Sequence, residues 1–306
     1  MNKEQKTTEL KIIFFGTPRF GATILEGLIK NNYKPVLVIT APDKPVGRKQ
    51  IITPSPVKIM AQKYNILVEQ PKKIKNLKET LWGVRLRASK KIKNLKPDLG
   101  IVAAYGYIIP QEILSIPKYG FLNVHPSLLP KHRGASPIQT AILNGDKETG
   151  VTIILMDEKM DHGPIITQTK YKIPDDINHK ELDSELAKQG AHLLVKTLPK
   201  WINSEIEAKA QDESKTTYTK ILKKEDGKIN WKKSVEEIER QIRAFCPWPG
   251  TFAFIKHKSE ILRVKILEAG ISKEKKLIIK KLQPEGKKVM TLEEFKKGYH
   301  DFNPLF

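Results

Sequence analysis

Cysteine is almost missing from the 306 residues: Cys246 stands alone, which excludes an intrachain disulfide and a multi-cysteine metal site. Long apolar runs are missing as well. Hydrophobic residues reach 39%, enough to build cores, yet no stretch approaches the ~20 apolar residues that span a bilayer. The opening M-N-K-E-Q-K-T-T-E is charged and has no apolar segment of a secretory signal. These absences lead to the expectation of a soluble, cytoplasmic protein without membrane contact. Two nucleotide signatures are lacking too. The turn G-T-P-R-F-G at residues 16–21 follows an apolar run, but it has neither the Gly-Lys-Ser/Thr ending of a phosphate loop nor the three glycines of a dinucleotide fingerprint.

Basic charge is abundant. The formal net charge is +21, and it is unevenly distributed. Residues 1–100 hold 21 Lys and Arg against 7 Asp and Glu, residues 101–210 hold 12 against 13, and residues 211–306 hold 22 against 14. A basic surface flanking a neutral middle suits an enzyme that binds a polyanion, because phosphate contacts supply affinity independent of sequence and steer association. Charge alone leaves nucleic acid and plain solubility equally open. The run K-K-I-K-N-L-K, present at 72–78 and 90–96, is compositional bias rather than a repeat architecture.

Along the chain, Leu10 to Phe15 is an apolar run. Phe20, Ile24, Leu25, Leu28 and Ile29 follow at helical spacing. Pro35 to Thr40 predicts a second strand, and Ala41 to Pro54 is a loop too long for an ordinary strand-to-helix connection. Gly100 is out of place in the apolar run P-D-L-G-I-V-A-A. Asn178 to Glu181 and Ser234 to Glu237 are capping boxes that open helices. Strands and helices alternate to about residue 200, which predicts an open α/β domain at 1–205. Residues 211–219 are polar and read as a linker. The runs T-F-A-F-I, I-L-R-V-K-I-L and K-L-I-I-K-K-L then predict a β-rich second domain within 206–306.

Chemistry concentrates between Phe121 and Gln139, F-L-N-V-H-P-S-L-L-P-K-H-R-G-A-S-P-I-Q. A short buried strand ends at Pro126, so Asn123 and His125 project from one side of its end. In an open parallel sheet, that edge is where ligands bind. Taken alone, His125 is more simply a hydrogen-bonded histidine at a loop start. A zinc site from His125, His132, Asp161 and His162 lacks the tight local pairing such sites use, and no metal is expected.

N-V-H-P-S-L-L-P-K-H-R-G, with M-D-E-K-M-D-H-G-P-I-I at residues 156–166, resembles the folate-dependent formyltransferases. F-F-G-T-P-R-F at 14–20, A-P-D-K-P-V-G-R at 41–48 and I-R-A-F-C-P-W-P-G at 242–250 extend the resemblance over nearly the whole chain. It implies a Rossmann-like, mostly parallel sheet followed by an OB-type β-barrel that binds tRNA, with the segment between Leu267 and Leu282 shorter than usual. It implies 10-formyltetrahydrofolate as formyl donor and the initiator Met-tRNA as acceptor; a monomer is expected. It assigns catalysis to Asn123, His125 and Asp161: an amide for the oxyanion, an imidazole that changes protonation near neutrality, and a carboxylate that orients it and relays the proton. Ser127, Leu128, Leu129 and Pro130 map onto the folate-binding segment. Arg48, with Lys49 and Lys44, maps onto an insertion that contacts the tRNA acceptor end. A folate formyltransferase acting on a ribonucleotide amine or an amino-sugar nucleotide is the alternative. An RNA-binding protein with an inactive formyltransferase domain is a rival of another class.

Overall fold

A computed structural model describes residues 10–47, 49–71, 84–257 and 260–299. Arg48 and the first lysine-rich run, at 72–78, lie outside the described residues. The chain opens with β1 (Ile12–Gly16), α1 (Arg19–Lys30) and β2 (Leu37–Ile39). Then come β3 (Lys44–Val46), β4 (Ile51–Thr53), α2 (Pro56–Lys63), β5 (Leu67–Glu69) and α3 (Val84–Leu95). β6 (Leu99–Ala103), α4 (Gln111–Leu114), β7 (Phe121–His125), β8 (Arg133–Gly134) and α5 (Pro137–Asn144) follow. β9 (Glu148–Leu155), β10 (Ile165–Lys172), α6 (His179–Ile202) and β11 (Tyr218–Thr219) lead to α7 (Val235–Ala244). The chain closes with β12 (Thr251–His257), β13 (Glu260–Ile271), β14 (Leu277–Pro284), β15 (Met290–Thr291) and α8 (Leu292–Gly298).

The described residues fall into two compact units, one of residues 1–133, 150–171 and 184–217, the other of 134–149, 172–183 and 218–306. The first is built on a seven-stranded sheet, in the order β10-β9-β7-β6-β1-β2-β5. From β5 to β7 the strands are parallel, and β9 runs antiparallel to β7. The central strands I-I-F-F-G and L-G-I-V-A are buried throughout, as parallel strands covered on both faces must be. The chain moves from β1 outward to β2 and β5, then returns across β1 to β6 and β7. The reversal between β1 and β6 makes the carboxyl ends of these strands the place for a ligand.

Gly100 has a packing reason. A Cβ there would stand 2.3 Å from Cδ1 of Phe121, so the Phe121 ring occupies the space an aliphatic side chain would fill. Gly27 likewise lets α1 meet α6, where an added Cβ would lie 2.6 Å from that of Ala191.

In the second unit, α7 begins at the Ser234–Glu237 capping box and packs on α5. The β-rich domain is a four-stranded antiparallel sheet in the order β12-β13-β14-β15. Ile238 and Ile242 of α7 join Ile255, Val264, Ile266, Ile279, Leu282 and Phe295 in one apolar core. The short segment after Leu267 is a single hairpin: β13 runs to Ile271, turns over Ser272–Lys276 and returns as β14.

Candidate active site

β7 is buried along its whole length between parallel β6 and antiparallel β9. Its last turn of pleat places Asn123 and His125 on one side, 8% and 4% exposed. Asp161 comes from the turn between β9 and β10. Asn123 Nδ2 donates to Asp161 Oδ1 over 3.1 Å, and His125 Nδ1 stands 3.5 Å from that same oxygen. On the far side of the ring, His125 Nε2 is 3.0 Å from the carbonyl oxygen of His132. A carbonyl only accepts, so Nε2 carries the hydrogen and Nδ1, beside the carboxylate, is the nitrogen that can exchange a proton. Asn123 donates one amide hydrogen to Asp161, and its amide has a second to offer. The structure therefore brings together the three residues that the sequence pattern marks.

The Asp161 turn is held tightly. Asp161 has φ +53, and a Cβ at Gly163 would fall 1.9 Å from the carbonyl oxygen of Leu155, so only glycine lets the turn close on β9. Gln211 Nε2 donates to the carbonyls of Asp161, at 2.8 Å, and Gly163, at 2.7 Å. Its Oε1 accepts from Nε and Nη2 of Arg133 at 3.0 and 2.8 Å. Arg133 is fully buried and also forks onto Glu213, at 3.1 and 2.7 Å. A buried guanidinium is tolerable only when its donors are matched in this way. Its presence holds the Glu213 carboxyl below the usual carboxylate range. Thr217 completes the tie, its Oγ1 accepting from the backbone N of His132 at 2.8 Å. The polar stretch read as a linker is thus bonded to the site. Gln211 and Thr217 escape sequence reasoning, because nothing local marks them.

The segment after His125 is built from its own hydrogen bonds. The buried Ser127 hydroxyl donates to the carbonyl of Lys131 at 2.7 Å. The Leu129 N–H is taken by Thr152 Oγ1 at 3.1 Å, and Gln168 Nε2 donates to the Leu129 carbonyl at 2.8 Å. Ser127 and Leu129 are therefore occupied in holding the turn, whereas Leu128 and Pro130 stay partly exposed. The loop after β6 adds Ile108, 71% exposed, at the carboxyl edge of the same sheet.

Ala41 to Pro54 contains more than a loop. β3 and β4 pair antiparallel, Lys44 with Thr53, Pro45 with Ile52 and Val46 with Ile51, around Gly47 at φ +73. All six strand residues are exposed, including Val46, Ile51 and Ile52. Lys44 and Lys49 sit on this hairpin, exposed. At its base, Asp43 pairs with Lys58 at 2.6 Å and accepts from Gln70 at 2.7 Å, and the ammonium beside it lowers its carboxyl pKa.

A strand-end Asn and His sharing one carboxylate oxygen, set beside the switch point of a parallel sheet, define the formyl transferase class. The family model described as "Formyl transferase" matches residues 10–198, and "Formyl transferase, C-terminal domain" matches residues 221–277. The chain belongs to the methionyl-tRNA formyltransferase family. It is 44% identical to the methionyl-tRNA formyltransferase of a Sulfurihydrogenibium species over 92% of this chain and 88% of that one. With the enzyme of that name from Bacillus cytotoxicus it shares 40% identity over 94% and 96%. Among solved structures, the N-formyltransferase from Helicobacter canadensis, in complex with folinic acid and dTDP-3-aminofucose, superposes with a TM-score of 0.62 at 25% identity, over 86% and 88% of the two chains. Methionyl-tRNA formyltransferase from Clostridium thermocellum shares the fold, with a TM-score of 0.56 at 19% identity over 92% and 99%.

Proposed function

We propose that this enzyme transfers the formyl group of 10-formyltetrahydrofolate to the amino group of methionyl initiator tRNA. The observation that carries the reading is the single oxygen, Asp161 Oδ1, contacted by Asn123 and faced by His125. The choice of donor is supported by exposed Ile108 and partly exposed Leu128 and Pro130, apolar surface at the carboxyl edge of the sheet that suits a flat heterocycle. The donor supplies an activated formyl group, and the remaining tasks fall to the chain. As the amine adds to the formyl carbon, the second N–H of Asn123 meets the charge developing on the formyl oxygen. His125 Nδ1, next to Asp161, takes the proton from the attacking nitrogen and returns it to the departing one. No covalent enzyme intermediate is needed.

Lys44 and Lys49 on the hairpin, together with Arg48, are proposed to meet the tRNA acceptor end, and the basic residues of 206–306 to supply further affinity for its phosphates. The enzyme is proposed to act as a monomer in the cytoplasm. The test is an assay of purified protein with formyl-folate and, separately, Met-tRNA and an amino-sugar nucleotide. Met-tRNA should be the acceptor used. Asn123→Ala, His125→Ala and Asp161→Ala should each lower turnover by ~10²–10³ while folding and tRNA binding persist. Unchanged turnover in any one of them removes that residue from the mechanism, and transfer to the sugar nucleotide alone overturns the acceptor.

A further inference from the structure

The antiparallel sheet of the second unit carries a recess of about 320 Å3, lined by Lys224, Glu225, Lys228, Phe252, Phe254 and Arg263. Phe252 and Phe254 are two apart on β12 and share a face. Their rings meet edge to face at 5.7 Å. Across the strand pair Arg263 stands opposite Phe254, and its guanidinium carbon lies 3.8 Å above the Phe252 ring. One aromatic face is therefore already covered by a cation. The other is open: Phe254 is 42% exposed, with Lys228 Nζ 5.7 Å from its centroid. Three cations and one carboxylate line the recess. Among the described residues neither Lys228 nor Arg263 makes an ion pair, and Arg263 Nε is buried without a hydrogen-bond partner.

An open aromatic ring amid uncompensated cations asks for a ligand that is both planar and anionic. A nucleotide is both: a base stacks on the ring whatever its identity, and its phosphate meets the ammonium groups. An acidic peptide would satisfy the charge and leave the ring bare. We propose that this recess seats an unpaired nucleotide of the tRNA substrate, its base on Phe254 and its phosphate between Lys224 and Lys228. The proposal rests on tRNA being the acceptor. It differs from general basicity in requiring one ring.

Binding of Met-tRNA to the full-length protein, measured over a range of salt concentrations, separates the two. Phe254→Ala and Phe254→Leu should each weaken binding by about tenfold or more, with the salt slope unchanged, because a stacked base is lost and no phosphate contact is. Phe254→Trp should bind as wild type. Lys228→Ala should instead reduce the slope by ~1. Thermal melting of each variant shows that it is folded. If Phe254→Leu binds like wild type while Lys228→Ala still loses slope, the recess is only part of a basic surface and the proposal falls. If the wild-type protein itself does not formylate Met-tRNA, the acceptor assignment fails instead.

Discussion

Gln211 commits its whole amide to the site, two hydrogens to the Asp161 turn and its oxygen to the buried Arg133. With its amide used up in this way, Gln211 is proposed as a positioning residue that acts through Asp161. Gln211→Ala should therefore lower kcat by about 10–100-fold with KM for both substrates little changed, since an ångström of misplacement costs on that order. Gln211→Glu should not rescue, because it sets carboxylate oxygens against two carbonyls. A kcat within twofold of wild type in both variants would reduce the glutamine to scaffolding. The same residues show where sequence reading stops. Asn123 and His125 are legible because period two and Pro126 are local facts. Asp161 lies 38 residues from Asn123, and only the resemblance connects them. Gln211 is 78 residues from Arg133, with no periodic pattern to announce it.

The hairpin of β3 and β4 is hidden in a sequence that reads as a proline-rich loop. Prolines argue against a ladder, and Pro45 is tolerated here because the hairpin has only two strands, each with a free edge. Its Val46, Ile51 and Ile52 are each more than half exposed, so removing residues 45–52 should cost little stability. If the proposed tRNA contact holds, transfer to Met-tRNA should then fall by about tenfold or more while formyl-folate binding is unchanged. Equal activity of the shortened protein would free the hairpin from any role in tRNA contact. The start of α6 carries a different liability. His179 Nδ1 is buried without a partner, and burial pulls the imidazole down to about 4. The unfolded chain then binds a proton between pH 6.5 and 4 that the folded one refuses, so stability falls as pH drops through that window and levels off below it. The loss amounts to about 3 kcal/mol at ~1.4 per pH unit. Urea midpoints at pH 7, 5 and 4 should spread less in His179→Gln than in wild type; parallel losses would assign the acid sensitivity elsewhere.

For the molecule as a whole, the sequence suggests two consecutive domains, and the contacts give two units interleaved along the chain. Alternating apolar runs reveal each element but say nothing of which later element covers it. Residues 211–217 belong with the first unit, held by Arg133 and by the backbone of His132. A fragment ending at residue 210 should accordingly melt at lower temperature than one ending at 217, and it should lose the Asp161 geometry as well. Identical melting of the two fragments would show that Gln211, Glu213 and Thr217 contribute nothing to the fold. The proposed tRNA binding by the C-terminal residues is then best tested by lysine substitution in the whole chain.

Interleaving also sets a timetable for synthesis. In α5, Ile138, Ala141 and Ile142 are buried, and the partner helix α7 reaches back to it through Arg240, whose Nε donates to the carbonyl of Leu143, 97 residues earlier. At ~5–20 residues per second a ribosome needs roughly 5–20 s to make that partner. For that interval the nascent α5 is without the helix it packs against. An enzyme of the translation apparatus thus carries in its own chain order a waiting period during its translation.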